Sequence, residues 1–147
     1  MKKVISFSLW GKSQMYNLGA VINADMAERL WPDWIARYYV ASSVADSVID
    51  ELNKRDNTEV ILMGDDPGWN GMFWRFLTAS DPEVDIMISR DADSRINERD
   101  KAAVDQWLES GKKFHIIRDM CQHGWKICGG TWGVRDGFLR DISIRIN

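Results

Sequence analysis

The sequence predicts an α/β domain built on a parallel or mostly parallel sheet. Short apolar runs alternate with helix-like segments along the chain, the pattern of strands joined by helical crossovers. No internal repeat, low-complexity tract or linker interrupts that alternation. A length of 147 residues fits one domain, expected over 1–147, since domains run to about 100–200 residues.

The first strand is expected over Val4 to Leu9, where Val4, Ile5, Phe7 and Leu9 are apolar, and it runs into a turn at Trp10-Gly11-Lys12-Ser13. Leu18 to Leu30 reads as a helix, with Leu18, Val21, Ile22, Met26 and Leu30 on one face and Pro32 ending it. Ile35 to Ala41 is a second strand, and Ser43 to Leu52 a helix carrying Val44, Val48, Ile49 and Leu52 at the helical period. The apolar run Val60 to Met63 is a third strand, closed by Gly64-Asp65-Asp66-Pro67-Gly68, and Met72 to Leu77 is expected to be helical. Val84 to Ser89 is a fourth strand. Asn97, with Asp100 three positions on, reads as the N-cap of a helix to about Ser110, stopped by Gly111. Phe114 to Ile117 is a fifth strand. Beyond Asp119 the chain is rich in Gly and Trp, and Ile142 to Ile146 alternates as an edge strand or a tail would.

Composition narrows the partners. With 19 basic and 22 acidic residues the net charge is −3, which gives no global pull toward nucleic acid or an anionic membrane. Arg90, Arg95, Arg99 and Lys101 nevertheless cluster in sequence. No apolar stretch approaches the roughly 18 residues of a membrane span, and the N-terminal apolar run is too short for a signal peptide. Cys121 and Cys128 are too few for a disulfide framework, so a reducing, cytoplasmic setting is expected. Eight tryptophans are many for this length; some must lie in the core, but indole is also a side chain on which sugars and bases stack.

In open α/β sheets ligands bind beyond the carboxyl ends of the strands. Four segments therefore come into view: Ser8 to Gly11, Gly64 to Asp66, Arg90-Asp91 and Arg118-Asp119. Asp91 and Asp93, one residue apart after a strand, can both turn toward one hard cation, Mn2+ or Mg2+, whose shell water and phosphate oxygens complete. Such a cation neutralises a diphosphate leaving group. Arg90 and Arg95 flank the pair and suit phosphate oxygens; they also suit simple pairing with the same aspartates. Arg118-Asp119 repeats the dipeptide Arg90-Asp91, which suggests two strand ends facing one pocket. Asp119 is then a candidate general base on an acceptor hydroxyl, or a turn cap, and His123 a candidate base, metal ligand or phosphate contact, or a surface residue. His115, inside an apolar strand, reads as a core histidine. In Gly129-Gly130-Thr131-Trp132-Gly133 the glycines permit close backbone approach and Trp132 offers a stacking face, unless it belongs to the core. Cys121, His123 and Cys128 lack a clear fourth partner for zinc. No nucleophile elbow and no phosphate loop of the Gly-x-x-x-x-Gly-Lys-Ser/Thr kind occurs.

The stretch Met72-Phe73-Trp74-Arg75-Phe76-Leu77, the strand Val84 to Ser89 and Arg90-Asp91-Ala92-Asp93-Ser94-Arg95 together resemble glycosyltransferases of the A-type fold, in which an Arg-bearing helix precedes a strand ending in Asp-x-Asp. The likeness runs from about Met72 to Arg135, through Ala103 to Trp107, Phe114 to Asp119 and Gly129 to Gly133, and is similar to a short bacterial and viral group. Ser8 to Gly11 and Tyr16 to Ala20 share it less specifically. The resemblance implies a minimal three-layer Rossmann-like sheet flanked by helices, of the nucleotide-diphospho-sugar transferase kind. It implies a nucleotide-sugar donor at the strand ends, with Asp91 and Asp93 on the metal and Arg75 reaching the donor. Leu9, Trp10, Gly11 and Tyr16 would lie near the nucleotide, and Arg90, Arg95, Gly130 and Trp132 would complete the substrate contacts. Enzymes of this kind commonly continue into a region that shapes the acceptor site; here the chain stops soon after Gly133, so acceptor recognition is expected to be minimal, shared with another subunit of a homo-oligomer, or absent.

The expected function is therefore metal-dependent transfer of a sugar from a nucleoside-diphosphate sugar to an acceptor hydroxyl. The acceptor stays open among a glycan, a protein, a small molecule and modified phage DNA. One rival is a phosphohydrolase of the haloacid dehalogenase kind, which also places Asp-x-Asp after a strand but near the N-terminus and with a downstream acidic pair. The other is a non-catalytic nucleotide-sugar-binding module.

Overall fold

The computed structural model describes residues 1–118 and 125–146. Among them six strands form one sheet: β1 (Lys3–Leu9), β2 (Ile35–Ala41), β3 (Thr58–Gly64), β4 (Ile86–Ser89), β5 (Phe114–Ile116) and β6 (Trp132–Arg135). Their order is β3-β2-β1-β4-β6-β5. The first four run parallel, and β6 lies antiparallel between β4 and β5. The helices are α1 (Gln14–Leu30), α2 (Asp46–Leu52), α3 (Glu98–Glu109) and a short α4 (Ile142–Arg145), with a 3-10 helix over Gly68–Ser80.

Alternation along β1 divides the core in two. Ile5, Phe7 and Leu9 pack with Ala20, Ala24 and Ala27 of α1, Leu52 of α2, and Val104 and Trp107 of α3. Val4, on the other face, joins Ala79 of the 3-10 helix, Met87 and Val134, with Leu139 and Ile142 packed against them. The sheet is thus the middle of three layers. Two serines sit on the 3-10 side of β1 among these apolar residues, and both are used. Ser6 Oγ donates to the Arg75 carbonyl at 2.7 Å, and Ser8 Oγ accepts from the Arg75 amide at 2.9 Å. The 3-10 segment is pinned to the central strand at the residue whose side chain reaches the site.

The structure corrects two expectations and adds an element. The buried face of α1 is Gly19, Ala20, Asn23, Ala24 and Ala27; of the expected face, Val21, Met26 and Leu30 are partly buried against the same core, while Leu18 is 59% exposed. Small side chains win this face because the helix lies close against the sheet: the Tyr38 hydroxyl of β2 donates to the Ala20 carbonyl at 3.0 Å, and the Tyr38 ring stacks on Phe7 at 4.7 Å. Ile142 to Ile146 is not an edge strand; Ile142 docks on the second core while Ile144 is exposed, which a helical turn allows. Strand β6 went unread because its four residues lie in a Gly- and Trp-rich stretch with little period. Gly133 is needed there, since a Cβ would stand 2.8 Å from Ile88 Cγ2 and 3.0 Å from the Met87 carbonyl oxygen.

The face of α1 is directly testable by denaturation. Ala24→Leu should overpack the sheet contact and lower stability by about 1–3 kcal/mol, whereas Leu18→Ser should stay within about 0.5 kcal/mol. The reverse ranking would return Leu18 to the core.

Candidate functional site

Chain connectivity locates the crevice. From β1 the chain moves outward to β2 and β3, then returns to place β4 on the opposite side of β1. The carboxyl ends of β1 and β4 therefore flank the point where winding reverses, which is where open α/β sheets leave a ligand crevice. Arg90 and Asp91 follow directly on β4, and Trp10 and Gly11 on β1.

The segment after β4 is held by α1. Asn23, fully buried, donates from Nδ2 to the carbonyls of Asp91 (3.4 Å), Ala92 (3.3 Å) and Ser94 (2.7 Å), and its Oδ1 accepts from the Ile96 amide at 3.2 Å. One turn earlier, Gly19 lets the helix touch the same segment: a Cβ there would stand 2.1 Å from the Ala92 carbonyl oxygen. Ala92 and Ile96 insert into the core beneath, so Asp91 is fixed from below. The Asp91 carboxylate meets the Arg75 guanidinium through Oδ1, and Arg75 also donates to the Arg90 carbonyl at 3.3 Å. Gly130 packs against that carboxylate so closely that a Cβ would lie 2.0 Å from Oδ2. Arg75 is 8% exposed, yet its Nε–H has no partner among the described residues.

A cavity of about 920 Å³ opens beside Asp91, between α3, β5 and the segment 125–131. Arg90, Asp91, Arg95 and Gly130 all line it, as does Arg118, so the strand ends that share a dipeptide do face one pocket on their arginine sides. Asp119 and His123 lie outside the described residues. Arg90 itself is spoken for: Nε and Nη2 grip Asp100 at 2.9 and 2.7 Å, and Nη1 donates to the Ser89 and Trp132 carbonyls. Its position makes it a brace between β4, β6 and α3. Arg95 is exposed and donates to the Ala92 and Asp93 carbonyls. Asp93 is exposed and is not part of the cavity wall.

The remaining sequence-predicted residues lie elsewhere. Leu9 is a core residue. Trp10 packs beside Gly71, and Gly11, at φ +74°, donates to Ser43 Oγ, which in turn donates to Asp66. Tyr16 is 38% exposed on the first turn of α1. These lie at the β1–β3 ends and do not line the cavity. Trp132 belongs to the core, not to a stacking platform: Phe114 stacks on it at 5.7 Å and Phe76 meets it edge-on at 5.2 Å. Asn23 and Gly19 were missed. A buried-looking polar residue one turn after a glycine, inside a stripe of alanines, was the available signal.

His115 lines the cavity and stacks on Trp107 at 5.1 Å. Burial, reinforced by the Arg90 charge and opposed by Asp100, pushes its imidazole down to about 4. The ring is neutral in the folded protein near neutrality, while the unfolded chain binds a proton near pH 6.5. Its contribution to stability is therefore present above about pH 6.5 and lost as pH falls toward 4.

Two expectations follow from this geometry. Asn23→Ala should destabilise the fold by about 1–3 kcal/mol through the groups it leaves buried and unpaired; a change within experimental error in urea would show that the segment after β4 holds itself. His115→Phe keeps a ring on Trp107 and should flatten the fall in melting temperature between pH 6.5 and 4; an unaltered slope would assign it to other groups.

No protein-family model matches the chain, and no curated protein matches it. Solved structures do match, in 42 chains. One is the 4-diphosphocytidyl-2C-methyl-D-erythritol synthase of Anaerococcus prevotii, with a TM-score of 0.60 at 11% identity, covering 98% of this chain and 77% of that one. A likeness at that identity establishes architecture alone: a six-stranded sheet flanked by helices in a Rossmann-like arrangement.

Proposed function

We propose that the chain binds a nucleoside-diphosphate sugar at the carboxyl ends of β1 and β4 and transfers the sugar to an acceptor hydroxyl. The observation that supports this most is the buried Arg75 guanidinium held against Asp91 at the reversal of winding, with one N–H still unfilled. A guanidinium held this way suits a phosphate oxygen, since its planar fork is already oriented and dehydrated.

Asp91 and Asp93 remain the proposed holders of a divalent cation, Mn2+ or Mg2+. Among the described residues no three His, Cys, Asp or Glu side chains converge, so such an ion would draw the rest of its shell from diphosphate and water. One or two carboxylates plus substrate phosphates are a common donor set for Mg2+. Asp91 is paired with Arg75 and Asp93 lies off the cavity wall, however, so an ion on both carboxylates requires that pair to open. When bound, the ion supplies positive charge to the departing diphosphate. The chain's own part is to hold Arg75 and Asp91 against β1 and α1, and to close the crevice from the β6 side with Gly130. Asp119 is proposed as the base on the acceptor hydroxyl, and His123 as a further base, metal ligand or phosphate contact.

A second reading, nucleotidyl transfer, is favoured by the likeness to a diphosphocytidyl synthase. Calorimetry with Mn2+ and a panel of nucleoside-diphosphate sugars and CTP separates the two. A sugar nucleotide should bind, and Asp91→Asn or Arg75→Ala should weaken it by about tenfold or more, the size of a lost charge-assisted hydrogen bond. Pyrophosphate release from CTP with a phosphorylated alcohol would establish the second reading instead. Absence of binding by every nucleotide in a folded protein overturns both.

A further inference from the structure

The cavity beside α3 carries a charge that the chain as a whole does not. Its wall contains six cationic side chains and two carboxylates, Asp91 and Asp100, and each carboxylate is already paired with an arginine. Arg95, Lys112, Arg118 and Lys126 form no ion pair with any described residue, and all four line the wall. Meanwhile the whole chain is net −3. Within α3, Arg99, Asp100, Ala103, Gln106 and Trp107 line the wall, Asp100 being held by Arg90, whereas Glu98, Lys101, Asp105 and Glu109 lie off it. Like charges collected in a concave wall focus a field that attracts anions despite an opposite net charge.

Shape narrows the anion. The α3 residues on the wall recur at helical spacing from one end of the helix to the other, so the groove runs along its 12 residues, about 18 Å. Arg95 stands near the start of α3 and Lys112 just past its end, with Arg118 and Lys126 on the far side. Charges spaced over that length exceed what one diphosphate uses. At the lip, Trp125 lines the cavity yet is 80% exposed, an indole face offered to solvent. Trp132, by contrast, is consumed by the core.

We infer that this groove binds a single-stranded nucleic acid segment, its phosphates on Arg95, Lys112, Arg118 and Lys126 and a base stacked on Trp125. A cationic track with an aromatic platform is the chemistry by which strands are held without sequence preference. The site adjoins the donor crevice at Asp91 and Gly130 but uses other side chains, and it does not rest on the transfer reading.

The test uses the full chain with a fluorescent oligothymidylate of about eight nucleotides, within the roughly 4–16 that such grooves accommodate, without metal or nucleotide sugar. Donor binding, measured separately by calorimetry, can fail or succeed independently. Binding should weaken about fiftyfold between 50 and 200 mM salt, the consequence of four phosphate contacts to a single strand. The double variant Lys112→Ala/Lys126→Ala should halve the log–log salt slope. Trp125→Ala should lower affinity by about tenfold or more with the salt slope unchanged. Absence of binding by the natively folded protein overturns the inference. So does equal affinity for inorganic polyphosphate together with an inert Trp125→Ala, which would make the groove a general polyanion site.

Discussion

Everything at the candidate site depends on how closely α1 lies against the segment after β4. A helix bearing large side chains would stand farther from the sheet. Gly19, Ala20 and Ala24 remove that bulk, and the Ala92 carbonyl occupies the space a Cβ at Gly19 would need. Once the two backbones touch, the turn carbonyls between Asp91 and Ser94 are cut off from water and need donors. Asn23 supplies them with one amide and returns the exchange by accepting from Ile96. Close packing and polar satisfaction are thus one device, and neither is stable without the other. Its product is a carboxylate at a fixed point, with Arg75 fixed opposite by Ser6 and Ser8 of β1.

Charge is arranged around that point in pairs. Asp100 with Arg90 is largely withdrawn from solvent, and Asp91 meets a buried Arg75 while its own carboxylate stays partly exposed; each arginine also donates to a carbonyl. Pairs of this kind contribute little net stability, because desolvation offsets most of the attraction. What they supply is orientation. Arg90 ties β4 to α3 and, through the Trp132 carbonyl, to the antiparallel β6. The neutralised carboxylates leave the cavity's field to Arg95, Lys112, Arg118 and Lys126, which form no ion pair with any described residue.

Much of this was legible in the sequence. Alternating apolar runs gave five strands in their right places, since parallel strands buried on both faces read as continuous apolar segments. Asn97 caps α3 as its residue type suggests, accepting from the Arg99 and Asp100 amides, and Gly111 follows at φ +66°. Other features resist reading for physical reasons. A helix that packs through alanine and glycine reverses the usual inference from large apolar residues, so Leu18 misled while Ala24 carried the contact. Strand β6 is too short and too glycine-rich for a period. Whether Arg90 faces a ligand or Asp100 depends on a helix that starts eight residues later, and composition says nothing of that. The Gly129-Gly130 pair reads in the sequence as a place where backbone could approach a ligand; in the structure what lies against Gly130 is the Asp91 carboxylate.

The antiparallel strand gives the architecture its asymmetry. On the β2–β3 side the strand ends are knitted together by Gly11, Ser43 and Asp66, leaving a closed rim. On the other side β6 reverses direction, so that the turn before it, carrying Gly129 and Gly130, arrives at the carboxyl end of β4 and not at its start. Ser89 Oγ bonds the Gly129 carbonyl at 2.6 Å and fixes that arrival. A strand parallel to β4 would begin at the opposite edge of the sheet, beside the amino end of β4. The reversal instead brings a bare backbone turn against Asp91 and leaves room between β5 and α3, where the cavity lies. One inverted strand thus determines both how the carboxylate is walled and where the molecule is hollow.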